Sequence, residues 1–109
     1  MSRILVTGAT GFIGGHLVPY VMSHGHEVRC LVRSTSNTRA LQQLGVELWV
    51  GDVRDEAKLR RASRDCEFVY HLAGRTSARH RGELYAVNAI GTERVARACA
   101  AQLTPPVLI

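Results

Sequence analysis

The sequence lacks long apolar runs and has few cysteines. None of its apolar runs reaches the ~18 residues of a membrane span, so we expect no membrane helix. The N-terminus lacks all three features of a secretory signal, namely a charged n-region, a long apolar segment and a cleavage site. We therefore expect a cytoplasmic protein. Its three cysteines, Cys30, Cys66 and Cys99, are odd in number and match no metal-site spacing. We expect them to be buried, reduced thiols.

Lysine is also scarce, and 13 of the 14 basic residues are arginine. The formal net charge of +5 would be compatible with nucleic-acid binding. The arginines are scattered, however, and the small groups at 60–61 and 79–81 contain no aromatic side chains. We interpret the charge as a solvated basic surface with one or two arginines facing an anionic ligand, and expect no nucleic-acid partner.

Short apolar runs alternate with helical patterns along the whole chain. The predicted strands are 4–7, 27–32, 46–50, 67–70 and 107–109, and the predicted helices are 12–23, 38–44, 55–63 and 83–102. Such alternation with short connections predicts an α/β fold with helices on both faces of a parallel sheet. We expect a Rossmann-like, doubly wound but incomplete sheet of about five strands in the order 3-2-1-4-5.

A glycine-rich turn joins the first predicted strand to the first predicted helix. Gly8 permits a tight turn, Gly11 would let the backbone approach a pyrophosphate, and Gly14 would let the helix lie close to the sheet. The helix N-terminus offers free N–H groups to phosphates. This context predicts a dinucleotide site, with a tight turn that holds no ligand as the alternative. The predicted binding residues of this turn are Gly8, Thr10, Gly11, Phe12, Ile13 and Gly14.

Four motifs follow one another in an order typical of one superfamily. They are the turn at 7–14, Gly51-Asp52-Val53, His71-Leu72-Ala73-Gly74 and Asn88-Ala89-Ile90-Gly91-Thr92. Over its whole length the chain resembles the short-chain dehydrogenase/reductase superfamily, in its extended branch of NAD-dependent epimerase/dehydratase type. The resemblance implies a dinucleotide cofactor and a protein that is an oxidoreductase, epimerase or dehydratase.

The resemblance also implies roles for residues of the later motifs. Asp52 would accept a hydrogen bond from the adenine amino group and Val53 would pack on the ring, although Asp52 is equally suited to capping the turn before the next helix. The segment Leu72, Ala73 and Gly74 would pass beside the nicotinamide ribose. The resemblance also places Asn88 with the cofactor-site residues, where it would stabilise the central strand region or a water near the active site. Because asparagine is a mediocre helix former within this predicted helix, we favour a buried structural hydrogen bond as its role.

The end of the second predicted strand carries Arg33 and no acid. In an NAD site an acid at this position binds the ribose 2′-hydroxyl, whereas a nearby arginine suits the 2′-phosphate of NADP. Arg33, with Arg39 as a weaker candidate, therefore favours NADP over NAD. The alternative is an arginine that only faces solvent. We expect the five histidines to be structural or exposed, with no metal site.

The catalytic residues implied by the resemblance are missing. The Tyr-x-x-x-Lys pattern needs a lysine four residues after a tyrosine, and the single lysine, Lys58, does not fit. Because the sequence stops within a predicted strand, we interpret residues 1–109 as the N-terminal part of a cofactor-binding domain, not catalytic alone. The catalytic and substrate-binding parts would lie elsewhere in a longer protein. In residues 1–109 alone, the fifth predicted strand would be an open sheet edge, which favours self-association. The alternative is a non-catalytic NADP-binding sensor or regulatory protein.

Overall fold

The computed structural model describes residues 2–73 and 86–109, apart from the side chains of Ala86 and Val87. The strands are β1 Arg3–Thr7, β2 Glu27–Val32, β3 Glu47–Val50, β4 Phe68–His71 and β5 Val107–Leu108. The helices are α1 Phe12–Ser23, α2 Arg39–Leu44, α3 Glu56–Ala62 and α4 Gly91–Ala100, and a π-helical turn at Ala86–Ile90 precedes α4. The strands form a parallel sheet in the order β3-β2-β1-β4-β5, which confirms the predicted class and strand order.

The register of the sheet brings the carboxyl ends of three strands together. Thr7, the last residue of β1, lies opposite Leu31 on β2 and opposite His71, the last residue of β4. The loops that follow β1, β2 and β4 therefore leave the sheet at the same edge. In open α/β sheets this edge, where the strand order reverses, is where ligands bind.

Alternating residues of β1 divide the core into two layers. Leu5 packs with Leu59 of α3 and Val95 of α4, whereas Val6 packs with Val18 of α1 and Leu41 of α2. Among the described residues, each face of the sheet is therefore covered by one pair of helices, in keeping with a doubly wound fold. The described part of the chain has no helix that is both long and apolar enough to cross a membrane.

The cysteines belong to these two layers. Cys30 lies in the layer under α1 and α2, and Cys66 and Cys99 lie in the layer under α3 and α4. All three are buried free thiols, as predicted. Burial raises the pKa of the Cys30 thiol to about 12, because a thiolate there would lose its hydration.

Most predicted helices match the structure, and the last one differs. Asp55 caps α3 by accepting a hydrogen bond from Lys58 N, as predicted. The helix predicted over 83–102 includes 83–85, which lie outside the described residues. Its remainder begins as a π-helical turn and ends at Ala100. The end is early because Gln102 N bonds to Cys99 O in a tighter turn, while its side chain donates to Arg60 O at 2.8 Å on the neighbouring segment.

Two adjacent glycines of α1 offer a matched test of how closely this helix lies against the turn before it. A Cβ on Gly14 would lie 2.6 Å from Ala9 Cα, whereas a Cβ on Gly15 would meet nothing within 4 Å. We expect Gly14→Ala to destabilise the protein by about 1–3 kcal/mol through overpacking. Gly15→Ala should stabilise it by about 0.5–1 kcal/mol, since it lowers the entropy of the unfolded chain. Thermal unfolding of both variants measures this, and equal midpoints would contradict it.

Candidate cofactor site

A cavity of about 270 Å³ lies at the carboxyl edge of the sheet. It brings together predicted residues from four separate segments of the chain. These are Gly8, Thr10 and Gly11 after β1, Arg33 after β2, Asp52 and Val53 after β3, and Leu72 and Ala73 after β4. Ala9 and Gly51, which belong to the sequence motifs without being predicted as binding residues, also line the cavity. The lining residues outside the motifs and the predicted set are Leu31, Val32 and Ser36.

Four residues of the glycine turn, Gly8 to Gly11, line this cavity. Gly8 has a φ of +74°, and a Cβ added there would lie 2.5 Å from Ala73 N and from the Leu72 carbonyl carbon. The residue must therefore be glycine for two reasons, its left-handed backbone and its contact with the end of β4. Gly11 N donates to Gly8 O at 3.1 Å and closes the turn.

The N-terminus of α1 lies beside the cavity and carries the partial positive charge of the helix dipole, which no acidic side chain of its first turn compensates. Gly11 is its N-cap and provides no side-chain cap, and no acidic residue occurs in the first turn. The first N–H groups of a helix with such an end are available to a phosphate, and the helix dipole adds to the attraction. Phe12 and Ile13, also predicted as binding residues, lie outside the cavity lining and are largely exposed, at 83% and 63%.

Asp52 sits in the cavity wall as an ionised, paired carboxylate. Its Oδ1 accepts hydrogen bonds from Arg54 N at 2.8 Å and Arg54 Nε at 3.0 Å, and its Oδ2 accepts one from Arg54 Nη2 at 2.7 Å. These bonds outweigh partial burial and hold the pKa of Asp52 below its ordinary value, with a smaller contribution from the charge of Arg33. The turn-capping role is thus present in the structure, and the residue still lines the cavity.

Arg33 is an exposed residue just after β2 and lines the cavity together with Ser36. The two belong to one turn, in which Ser36 N donates to Arg33 O at 3.0 Å. Within residues 2–73 and 86–109, no carboxylate forms an ion pair with Arg33. Its guanidinium therefore remains available for an anion that enters the cavity. Arg39, the weaker candidate, lies on α2 and does not line the cavity.

Three other predicted residues are not part of the observed lining. Gly14 packs against Ala9, as its predicted role in helix packing requires, and does not line the cavity. Gly74 lies outside the described residues. Asn88 belongs to the π-helical turn and is exposed, so its predicted burial is wrong. A π-helical turn holds one extra residue, which changes the direction of side chains relative to a regular helix. Within the described ranges, no three histidine, cysteine or acidic side chains come together as metal ligands.

Comparisons with known proteins agree with this geometry. Residues 4–109 match the model of the NAD dependent epimerase/dehydratase family. The chain is 43% identical over 90 residues to the sterol demethylase protein B of Methylococcus capsulatus, covering 81% of this chain and 27% of that protein. It is 31% identical over 101 residues to a decarboxylating sterol-4-alpha-carboxylate 3-dehydrogenase of Dictyostelium discoideum, covering 91% and 31%.

A solved structure with the same fold is the UDP-glucose 4-epimerase of Thermus thermophilus in complex with NAD. The two chains are 33% identical, with a TM-score of 0.76 over 89% of this chain and 33% of that one. The present sequence thus spans about a third or less of the length of these relatives. The family match covers nearly the whole sequence and agrees with the strand order, so the chain belongs to the NAD-dependent epimerase/dehydratase family.

Proposed function

We propose that this chain binds NADP(H) in the cavity at the carboxyl edge of the sheet. The observation that carries the choice of NADP is Arg33, which lines the cavity without an ion-pair partner among the described carboxylates. The ribose 2′-phosphate is the anion that this position of the fold meets. A planar guanidinium binds phosphate oxygens through paired, charge-assisted hydrogen bonds.

The other lining residues fit the remaining parts of a dinucleotide. Gly8 to Gly11 and the uncapped N-terminus of α1 would hold the pyrophosphate through free backbone N–H groups. Asp52 would accept from the adenine amino group and Val53 would pack on the ring. Leu72, Ala73 and Gly74 would lie beside the nicotinamide ribose. When bound, the nicotinamide supplies hydride-transfer chemistry.

For the whole protein we propose an oxidoreductase, epimerase or dehydratase that acts on a small molecule. Two similar proteins are named as a sterol-4-alpha-carboxylate 3-dehydrogenase and a ketoreductase of a farnesylated dihydroquinoline oxide, and interconversion of an alcohol and a ketone is common to both names. Residues 1–109 would supply the cofactor-binding part, and the groups that act on the substrate would come from elsewhere in the protein. Turnover of such a ketone by the full-length protein with NADPH tests this, and no turnover of sterol, flavanone or sugar-nucleotide substrates would count against it.

Replacing Arg33 should change the choice between the two cofactors. We expect Arg33→Ala to weaken NADPH binding about 10- to 100-fold, since a charge-assisted hydrogen-bond pair is lost, and to leave NADH binding within about twofold. Fluorescence titration of the full-length protein with each reduced cofactor measures both dissociation constants. Arg39→Ala is the control, because Arg39 lies outside the cavity. Equal affinity of the unaltered protein for NADPH and NADH would overturn the NADP assignment.

Replacing Asp52 should instead affect both cofactors alike, because the adenine is common to them. We expect Asp52→Asn to weaken NADPH and NADH about three- to tenfold each, since a neutral amide is a weaker acceptor than a carboxylate. Arg54 lowers the pKa of Asp52, so this contribution is present above the ordinary carboxyl range and is lost as the pH falls through the lowered pKa. A variant that alters the affinity for only one cofactor would contradict the adenine role.

A further inference from the structure

A chain of hydrogen bonds crosses the carboxyl edge of the sheet beside the cavity. Thr7 Oγ1 lies 2.7 Å from His71 Nδ1, and His71 Nε2 lies 3.0 Å from Thr92 Oγ1. Ala73 N donates to Thr7 Oγ1 at 3.2 Å, and Thr92 Oγ1 donates to Asn88 O at 2.6 Å. The imidazole of His71 thus joins the last residue of β1 to the first turn of α4.

The end points of this chain fix the direction of every bond in it. Thr92 uses its hydroxyl proton on Asn88 O, so its oxygen must accept from His71 Nε2–H. His71 in its neutral form then carries no proton on Nδ1, which accepts from the Thr7 hydroxyl. Thr7 Oγ1 in turn accepts from Ala73 N–H. Of the two neutral tautomers, only the Nε2–H form satisfies all four bonds.

This chain of hydrogen bonds also holds the segment Leu72–Ala73, which forms one wall of the cavity. Thr7 is fully buried, and its hydroxyl holds the Ala73 N–H. The nitrogen of that amide would lie only 2.5 Å from a Cβ added to Gly8. The position of Ala73 and the shape of the glycine turn therefore depend on each other. A shift of Thr7 or His71 would therefore move the backbone of Leu72 and Ala73 against the turn.

We propose that His71 is a positioning residue for the cofactor site, whose neutral Nε2–H form links Thr7 to Thr92 and so holds the Leu72–Ala73 wall against the glycine turn. The proposal rests on the proposed cofactor function. Both ring nitrogens are engaged within the protein, so His71 acts through Thr7 and does not itself contact the ligand.

A dependence on pH follows from the need for the neutral imidazole. Among the described residues, the groups bonded to the His71 imidazole are Thr7 on β1 and Thr92 on α4, while Ile109 O after β5 accepts from the backbone N–H of His71 at 2.9 Å. Neither threonine side chain titrates. Burial lowers the pKa of His71 below its ordinary value. A proton on Nδ1 would turn this nitrogen from an acceptor into a donor and leave the hydroxyl proton of buried Thr7 without this acceptor. The arrangement in which Thr7 donates to His71 is therefore complete above the ordinary histidine pKa and is lost as the pH falls through the lowered one.

The first measurement concerns the imidazole alone. We expect the ¹⁵N spectrum of the full-length protein, labelled at histidine, to show the Nε2–H tautomer for His71 at pH 8. Its pKa should lie below the ordinary histidine value because of its burial. A rapidly exchanging mixture of tautomers at His71 would overturn the proposal whatever the protein binds.

The second measurement asks whether the link matters for the cofactor. In NADPH titrations at pH 8, Thr7→Val and Thr92→Val should each weaken binding about three- to tenfold, whereas Thr7→Ser and Thr92→Ser, which keep the hydroxyl, should stay within about twofold. The two valine variants should be non-additive, and this coupling should vanish in a His71→Asn background. Thermal unfolding of each variant confirms that it is folded.

The outcomes separate this proposal from the proposed function. NADPH binding that is unaffected by Thr92→Val and His71→Asn would overturn the role of His71 and leave the cofactor assignment standing. Additive effects of the two valine variants would also overturn it. A folded protein that shows the Nε2–H tautomer but binds neither NADPH nor NADH would overturn both. The affinity for NADPH could also fall with pH in the same way in His71→Asn as in the unaltered protein. That result would assign the pH effect to the 2′-phosphate, whose second pKa is ~6, and would overturn the pH dependence proposed for His71.

Discussion

The candidate cofactor site depends on one contact between two stretches of backbone. Gly8 and the Leu72–Ala73 segment approach so closely that a single added carbon would collide with the peptide at 2.5 Å. β4 pairs in register with β1, so the end of β4 passes directly over the first residue of the glycine turn. The contact therefore fixes two walls of the cavity at once. Gly14 repeats the principle one turn into α1, where it sets the distance between the helix and Ala9.

Electrostatics around the cavity are arranged so that one carboxylate is tolerated in a site suited to anions. An isolated Asp52 would repel a phosphate, but Arg54 engages both of its oxygens and compensates its charge. Arg33 and the uncapped N-terminus of α1 are then left with positive potential that no described carboxylate pairs with. Asp52 keeps an ionised oxygen in the wall and does not reverse the overall sign of the site.

The sequence is most informative where a property depends on a few neighbouring residues. The glycine turn, the cap at Asp55 and the alternation of strands and helices are local patterns, and the structure confirms the turn geometry, the cap and the strand order. The link through His71 joins residues 64 and 21 positions away, and no local pattern signals it. The exposure of Asn88 was missed because a regular helix was assumed where a π-helical turn occurs.

Two arginines associated with β2 show why residue type alone does not identify a ligand-binding group. Arg29 is only 8% exposed, and its guanidinium donates to Glu47, to Ala62 O at 2.6 Å and to Arg64 O at 3.2 Å. It thus satisfies carbonyls at the C-terminal end of α3, where a cation is favourable, and lies over the Trp49 ring at 5.1 Å. Arg33 lies four residues later, just after the end of β2, and lines the cavity at the carboxyl edge of the sheet. The position along a parallel strand therefore decides whether the same side chain stabilises the fold or remains available to a ligand, and the predicted strand over 27–32 already placed Arg33 just beyond its end.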